Sequence, residues 1–153
     1  MTSIHMQVDY ITAMANDRPY GPIIEQLKAA GLRPTRQRLA LAKLLFGNGN
    51  RHLTAEQLHG EASVAKVRVS LATVYNTLHQ FTAAGLLREV VVEAGRSYFD
   101  TNVDEHHHFY FEDTCRLEDI PGGDLRVADL PAPPEGTRVA RVDVIVRLNC
   151  EQN

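Results

Sequence analysis

The sequence predicts an α+β fold that begins with a winged helix. Three observations predict it. Between residues 21 and 85, apolar residues recur at helical spacing in segments separated by Gly, Pro and Asn breaks. A β-branched run, a glycine turn and a returning apolar segment follow at once, as in a β-hairpin. Helix-turn-helix plus hairpin is the winged-helix arrangement, a common DNA-binding form. The third observation is a switch of charge. Residues 25–88 carry nine Lys/Arg against three Glu, net +6, and residues 89–153 carry six Arg against fourteen Asp/Glu, net −8. A basic half followed by an acidic half suits a nucleic-acid module joined to a regulatory one, although the whole chain of 153 residues is at −3.

Each element has its own signals. Residues 4–16 are weakly amphipathic and read as an N-terminal helix or arm, interrupted by Pro19, Gly21 and Pro22. Pro22 suits a first helical turn. Ile23, Ile24, Leu27 and Ala30 form one stripe, and Gly31 ends that helix. Thr35 caps the next, with Leu39, Ala42, Leu45 and Phe46 inward, and Gly47 to Asn50 break the chain. Thr54 and Gln57 have the spacing of a capping box ahead of Leu58 and Ala62. Val67-Arg68-Val69 is a short connector. Ser70 caps a helix whose expected buried face is Leu71, Val74, Leu78 and Phe81, closed by Gly85.

The strand region starts with Leu86 to Val92, turns at Glu93 to Arg96, and returns through Ser97 to Asp100. Phe109 to Phe111 and Leu117 to Ile120 read as further strands. Leu125 to Leu130 allows at most a short helix before the Pro131-Ala132-Pro133-Pro134 loop. Val139 to Val146 reads as a last strand.

No apolar run approaches the ~18 residues of a membrane span, and the first residues lack a basic start and an apolar stretch. The expectation is a cytoplasmic protein with no membrane partner. Cys115 and Cys150 are the only cysteines and neither belongs to a CxxC pair, so a four-cysteine zinc knot and a disulfide framework are excluded as expectations.

Asp100 and the run His106-His107-His108 place one carboxylate and three imidazoles within nine residues. These are donors that Zn²⁺, Fe²⁺ or Mn²⁺ accepts. On an extended chain His106 and His108 point one way and His107 the other, giving one two-His site or two sites back to back. A two-His, one-carboxylate set also fits a small hydrolytic or oxygen-activating metalloenzyme. That alternative leaves the basic half unexplained.

If the apolar stripe of the helix after Ser70 is buried, Ala72, Thr73, Tyr75, Asn76 and His79 face outward. Tyr and Asn can meet base edges, and Thr and Ala methyls can meet thymine methyls. Arg33, Arg36, Arg38, Arg51 and Arg68 are candidates for phosphate neutralisation. His59 and His79 read as surface residues.

Four segments in order, Arg33-Pro34-Thr35-Arg36-Gln37-Arg38, His52-Leu53-Thr54-Ala55-Glu56, Ser70 to Leu78, and Phe99-Asp100 followed by the His cluster, resemble ferric uptake regulator proteins from about Gly21 to Asp119. The unbroken triple His and the missing zinc cysteines resemble the iron response regulator branch of alphaproteobacteria. The resemblance implies a homodimeric repressor of iron and haem metabolism acting on a double-stranded DNA operator. Its winged-helix DNA-binding domain would be residues 1–93, and a small C-terminal α/β sensing and dimerisation domain residues 94–153. It implies a DNA face of Arg33, Arg36, Arg38, Arg68, Ser70, Thr73, Tyr75 and Asn76, with Tyr75 on bases. It implies a metal site of His52, Asp100, His106, His108 and Asp119 taking Fe²⁺, Mn²⁺ or Zn²⁺.

The resemblance also admits haem, on His106, His107 and His108, because the chain has no Cys-Pro pair; a haem-delivering protein is then a further partner. The family's CxxC pairs are absent: Phe111 and Thr114 stand at the first, and Leu148 and Cys150 do not rebuild the second. Its additional His near the last strand is replaced around Val139-Ala140. A structural zinc and a second sensory site are therefore not expected. A peroxide or zinc sensor of the same family is the nearest alternative.

Overall fold

The computed structural model describes residues 20–152. The expected helix or arm over 4–16 lies outside the described residues. Among the described residues the chain divides into two compact units, residues 20–90 with 97–103, and residues 91–96 with 104–152.

The first unit holds four helices, α1 (Gly21–Ala29), α2 (Arg36–Phe46), α3 (Ala55–Val64) and α4 (Leu71–Ala83). Their starts follow from side chains that satisfy otherwise orphaned backbone donors. Thr35 Oγ1 accepts from the Arg38 N–H at 3.3 Å, and Ser70 Oγ from the Thr73 N–H at 3.1 Å. Thr54 and Gln57 form the full capping box at 3.2 and 2.8 Å. α1 instead has Pro near its start and no side-chain cap.

Three helices end alike. After α1 and α4, Gly31 (φ 77°) and Gly85 (φ 80°) take the left-handed conformation. Leu32 then donates back to the Leu27 carbonyl, and Leu86 to Phe81, each at 2.9 Å. After α3 the same turn is made by Lys66 at φ 59°, where a side chain is strained. Leu86 belongs to this closing turn of α4, so the following strand starts later than expected.

The core of this unit is formed by Leu27, Leu41, Leu45, Leu58, Val74, Leu78 and Phe81, all fully buried. Leu71, expected inside, is 37% exposed, and Thr77 is buried instead. Leu71 opens the first turn of α4, ahead of the level at which α4 meets the core; Thr77 sits one turn below Val74.

Strands β1 (His52–Leu53), β2 (Arg88–Glu93) and β3 (Arg96–Asp100) form one sheet in the order β1-β3-β2. β2 and β3 are the wing, joined at Ala94-Gly95 with Gly95 at φ 75°. β1 is antiparallel to β3 and sets His52 opposite Asp100 and Leu53 opposite Phe99. Two residues are too short a run for any periodicity, so β1 has no sequence signal.

The second unit is built on β4 (His108–Phe111), β5 (Arg116–Asp119) and β6 (Ile145–Leu148), in the order β5-β4-β6. β4 pairs antiparallel with β5 and parallel with β6. Tyr110, Leu117 and Ile120 form its buried apolar centre.

Two expectations are corrected in this unit. Leu125 to Leu130 contains no helix. Six residues ahead of Pro131 cannot offset the cost of helix nucleation, and Asp129 stands at φ 57°. The strand expected over 139–146 is confined to 145–148. Its register with β4 begins with Ile145 beside His108, the first residue of β4, and the last backbone bond of that edge is the His108 N–H to the Val144 carbonyl at 3.1 Å. Val139 is 50% exposed.

Candidate metal centre and nucleic-acid interface

In the first unit, the β1–β3 register brings His52 Nε2 to 3.4 Å from Asp100 Oδ2. Asp100 is 1% exposed. Its Oδ1 accepts the Asn102 N–H at 2.9 Å, which fixes the carboxylate plane. The pair sits at the end of wing strand β3.

In the second unit, Asp119 stands opposite His108 across β4–β5. Asp119 Oδ1 lies 3.2 Å from His106 Nε2 and 3.3 Å from His108 Nε2. The two rings meet edge to face with centroids 4.5 Å apart. His106 Nδ1 is 2.6 Å from the Asp104 carbonyl oxygen. A carbonyl only accepts, so Nδ1 carries the hydrogen of the neutral ring and Nε2 presents its lone pair. That lone pair faces a carboxylate oxygen. A divalent metal between the two would satisfy both acceptors. The three donor atoms lie within 4.8 Å of one another, and this N,N,O set fits a borderline divalent metal.

His107 points away, as alternation requires. Its Nδ1 accepts the Val144 N–H at 3.2 Å, and its backbone carbonyl accepts the Ile120 N–H at 2.9 Å. His107 therefore ties the chain before β6 to the end of β5. With Nδ1 as acceptor, the neutral ring carries its hydrogen on Nε2, so that nitrogen is not presented as a ligand. A cavity of about 410 Å³ adjoins His106 and His107, lined by Ile120, Leu125, Val127 and Leu130 together with Glu105 and Arg126.

Cys115 and Cys150 are exposed thiols. Arg96 donates to Cys115 Sγ at 2.6 Å and to the Tyr110 hydroxyl at 3.1 Å. Burial, above all, raises the Tyr110 pKa. Asp113 Oδ2 accepts the Cys150 N–H at 2.6 Å, which lowers the Asp113 pKa.

The second half of the helix pair, α4, presents a polar face. Asn76 is exposed, Thr73 and Tyr75 are half-buried, and Ser70 donates to Thr73 Oγ1 at 2.9 Å. Tyr75 donates its hydroxyl hydrogen to Glu56 Oε1 at 2.6 Å. That bond is the main cause of a lowered Glu56 pKa and a raised Tyr75 pKa. Arg33, Arg36 and Arg68 are exposed. Arg38 donates to Gln80 Oε1 at 2.9 and 3.3 Å and to the Arg33 carbonyl at 2.9 Å, so its guanidinium links α2 to α4. Arg51 donates to both Glu61 oxygens at 2.9 and 3.0 Å and to the Leu44 carbonyl, an internal ion pair rather than an open cation.

His59, expected at the surface, is half-buried with Nε2 3.1 Å from the Val69 carbonyl. It fastens the α3–α4 connector. A depression beside that connector is lined by Gln37, Ser63, Lys66, Arg68 and Ser70. Lys66 was not evident in sequence because nothing in its neighbourhood signals a left-handed turn. Glu56 belongs to a recognisable segment, but its reach to Tyr75, nineteen residues on, depends on the fold.

The sequence model of the ferric uptake regulator family matches residues 29–129, about two thirds of the chain. The chain belongs to the ferric uptake regulator family. A ferric uptake regulation protein of Legionella pneumophila is 41% identical over 83 residues, 54% of this chain. The match spans 61% of that relative's length. A peroxide-responsive repressor of Staphylococcus aureus is 32% identical over 97 residues, 63% of this chain and 65% of the relative. Both relatives are named as regulatory proteins rather than enzymes.

The fold also matches the solved ferric uptake regulator of Pseudomonas aeruginosa with manganese. There the TM-score is 0.62 at 24% identity, over 84% of this chain and 97% of that one. A winged helix followed by a second unit, in which the described residues form a three-stranded sheet, is the arrangement in this chain. Among the described residues, no helix is long and apolar enough to cross a membrane.

Proposed function

We propose that this family member is an iron-responsive, homodimeric transcription regulator of iron and haem metabolism. The winged helix, including wing strands β2 and β3, binds operator DNA, and the unit built on β4, β5 and β6 senses and dimerises. The observation that carries the reading is the position of Asp100. A buried, oriented carboxylate with an imidazole partner ends the strand of the DNA-binding wing. A second set of the same donor types, His106, His108 and Asp119, lies in the other unit.

On this reading His52 and Asp100 hold the same ion as His106, His108 and Asp119. Fe²⁺ and Mn²⁺ suit these N and O donors, and Zn²⁺ also binds such sets. Ligands from both units give the ion different affinity for different arrangements of the two. Differential affinity is what allows a ligand to shift a conformational equilibrium. In the dimer, two α4 helices would read half-sites one helical turn apart. Arg33, Arg36, Arg38 and Arg68 would serve the phosphates, and Ser70, Thr73, Tyr75 and Asn76 the groove. The Pseudomonas structure with manganese and the Staphylococcus peroxide-responsive repressor support a divalent-metal reading and leave peroxide or zinc sensing as the nearest alternative.

One measurement tests this. Full-length protein is titrated against duplexes recovered from a randomised pool, with Fe²⁺, Mn²⁺, Zn²⁺, haem or no addition. Metal-dependent, salt-sensitive, sequence-specific binding is the expected result. Equal affinity under all conditions would overturn the metal switch, and peroxide-dependent release of the Fe²⁺ form would favour the peroxide sensor.

A second reading adds haem. It is favoured by the cavity beside His106, where Ile120, Leu125, Val127 and Leu130 share the lining with Glu105 and Arg126, the arginine being able to meet a carboxylate. His106 would be the axial ligand with His108 beside it, while His107 keeps its bond to the Val144 N–H. Haem and metal would then compete for His106, and haem would lower operator affinity. An unchanged haem spectrum in the triple His→Ala variant would place haem elsewhere.

A further inference from the structure

Tyr75 is the aromatic residue on the outward face of α4, and its hydroxyl is already engaged. The phenol hydrogen goes to Glu56 Oε1 at 2.6 Å, a short charge-assisted bond. Glu56 is in the first turn of α3, directly after the Thr54 cap, where the helix N-terminus favours a carboxylate. The Thr54 side chain and the Glu56 backbone N–H stabilise the ionised carboxylate further. The Tyr75 ring also rests near His79, with centroids 6.2 Å apart. The phenol is therefore fixed in both position and hydrogen-bond direction.

A free phenol can donate to one base and accept from another, so its hydroxyl discriminates poorly. A phenol whose single hydrogen is committed to a carboxylate can only accept. In the major groove the donors are the exocyclic amino groups of adenine and cytosine. The O6, N7 and O4 atoms of guanine, adenine and thymine are acceptors. The Glu56 charge adds to the difference, since it attracts an amino hydrogen and repels a keto oxygen.

We propose that Glu56 is a specificity-determining residue that makes Tyr75 an obligate acceptor, so that Tyr75 selects a base carrying an exocyclic amino group. This rests on the reading of α4 as the recognition helix.

The test uses full-length Mn²⁺-loaded protein and duplexes recovered from a randomised pool, with every base pair then varied singly. Tyr75→Phe locates the position that depends on the hydroxyl. At that position the wild type is expected to prefer the amino-bearing base by about tenfold or more, the scale of one good base contact. Purine for adenine, which deletes only the amino group, should abolish the preference.

Glu56→Gln keeps the shape and the hydrogen bond, but an amide can donate as well as accept. The preference should fall below about threefold. Glu56→Ala should lower it in the same way, with thermal unfolding showing that both variants fold. A residue that merely steadied the ring would be rescued by Gln. Full preference in Glu56→Gln, or a keto oxygen as the favoured group, overturns the proposal while leaving Tyr75 as a base contact. Loss of no preference in Tyr75→Phe overturns the proposal and the reading of Tyr75 as a hydroxyl-mediated base reader together.

Discussion

His52 and Asp100 face each other across β1 and β3, with Nε2 3.4 Å from Oδ2, although 48 positions separate them in the chain. The pairing makes a prediction that a site confined to the C-terminal half would not. His52→Ala should weaken metal binding by at least the roughly 10–100-fold that loss of a supporting group costs a metal site. It should also remove the metal dependence of DNA binding. Isothermal titration with Mn²⁺ and a DNA titration check both; an unchanged metal affinity and an unchanged DNA response would confine the site to residues after 103.

Tyr75→Ala should weaken specific binding more than non-specific binding, by about 1–3 kcal/mol of discrimination. Arg36→Ala should weaken both and reduce the salt slope by about 0.9 per lost phosphate contact. Arg36 is exposed and Arg38 is tied to Gln80, so the two arginines separate phosphate binding from helix packing. Arg38→Ala should lower thermal stability as well as affinity. Equal losses on operator and random duplex in Tyr75→Ala would show that α4 does not read sequence.

Much of this architecture is legible in the sequence because it depends on neighbours a few residues apart. The caps of α2, α3 and α4 and the Gly31 and Gly85 stops are local, and so is the alternation that sends His107 away from His106 and His108. What is not legible depends on distant partners. The two-residue strand β1 exists because β3 lies beside it. Arg51 and Arg38 read as open cations until Glu61 and Gln80 are brought to them. The run from Val139 reads as strand by its β-branched content, but the ladder with β4 begins only at Ile145. The Glu56–Tyr75 bond likewise joins two helices, and neither residue announces the other.

That bond has a pH signature. The Glu56 pKa is lowered from 4.5, first by the Tyr75 hydroxyl, and the Tyr75 pKa is raised from 10.0, first by Glu56. A lowered carboxylate contributes stability that is present above its unfolded value and lost as pH falls through the folded one. A raised tyrosine contributes stability that is present below its unfolded value and lost as pH rises through the folded one. The contribution is therefore constant between about 4.5 and 10 and declines outside that window. Spectrophotometric titration of the phenols should show one tyrosine ionising earlier in Glu56→Gln than in the wild type. Superimposable curves would mean that the bond does not persist in solution.

Replacing Cys115 and Cys150 together with Ser should leave the metal response intact. Both thiols are exposed, and a serine hydroxyl can still accept the Arg96 hydrogen bond at Cys115, so the change in stability should stay within about 0.5 kcal/mol. Loss of one zinc per chain with loss of fold, read by metal analysis and circular dichroism, would reveal a thiolate site.

Lys66 separates folding from binding by sign. It holds φ 59° after α3, where a Cβ costs on the order of 1–2 kcal/mol and glycine costs none. Glycine also gives the unfolded chain more freedom, which returns roughly 0.5–1 kcal/mol of that gain. Lys66→Gly should therefore leave stability equal or raise it by up to about 1.5 kcal/mol. The same side chain lines the depression with Arg68 and Ser70 beside the start of α4. Removing its charge should weaken binding to operator and random duplex alike and lower the salt slope by about 0.9. A variant that melts higher yet binds DNA less tightly, with sequence preference retained, is the expected outcome. Unchanged affinity at low salt would remove Lys66 from the phosphate-binding surface, and a fall in melting temperature would show that its side chain makes a contact that outweighs the strain of its backbone.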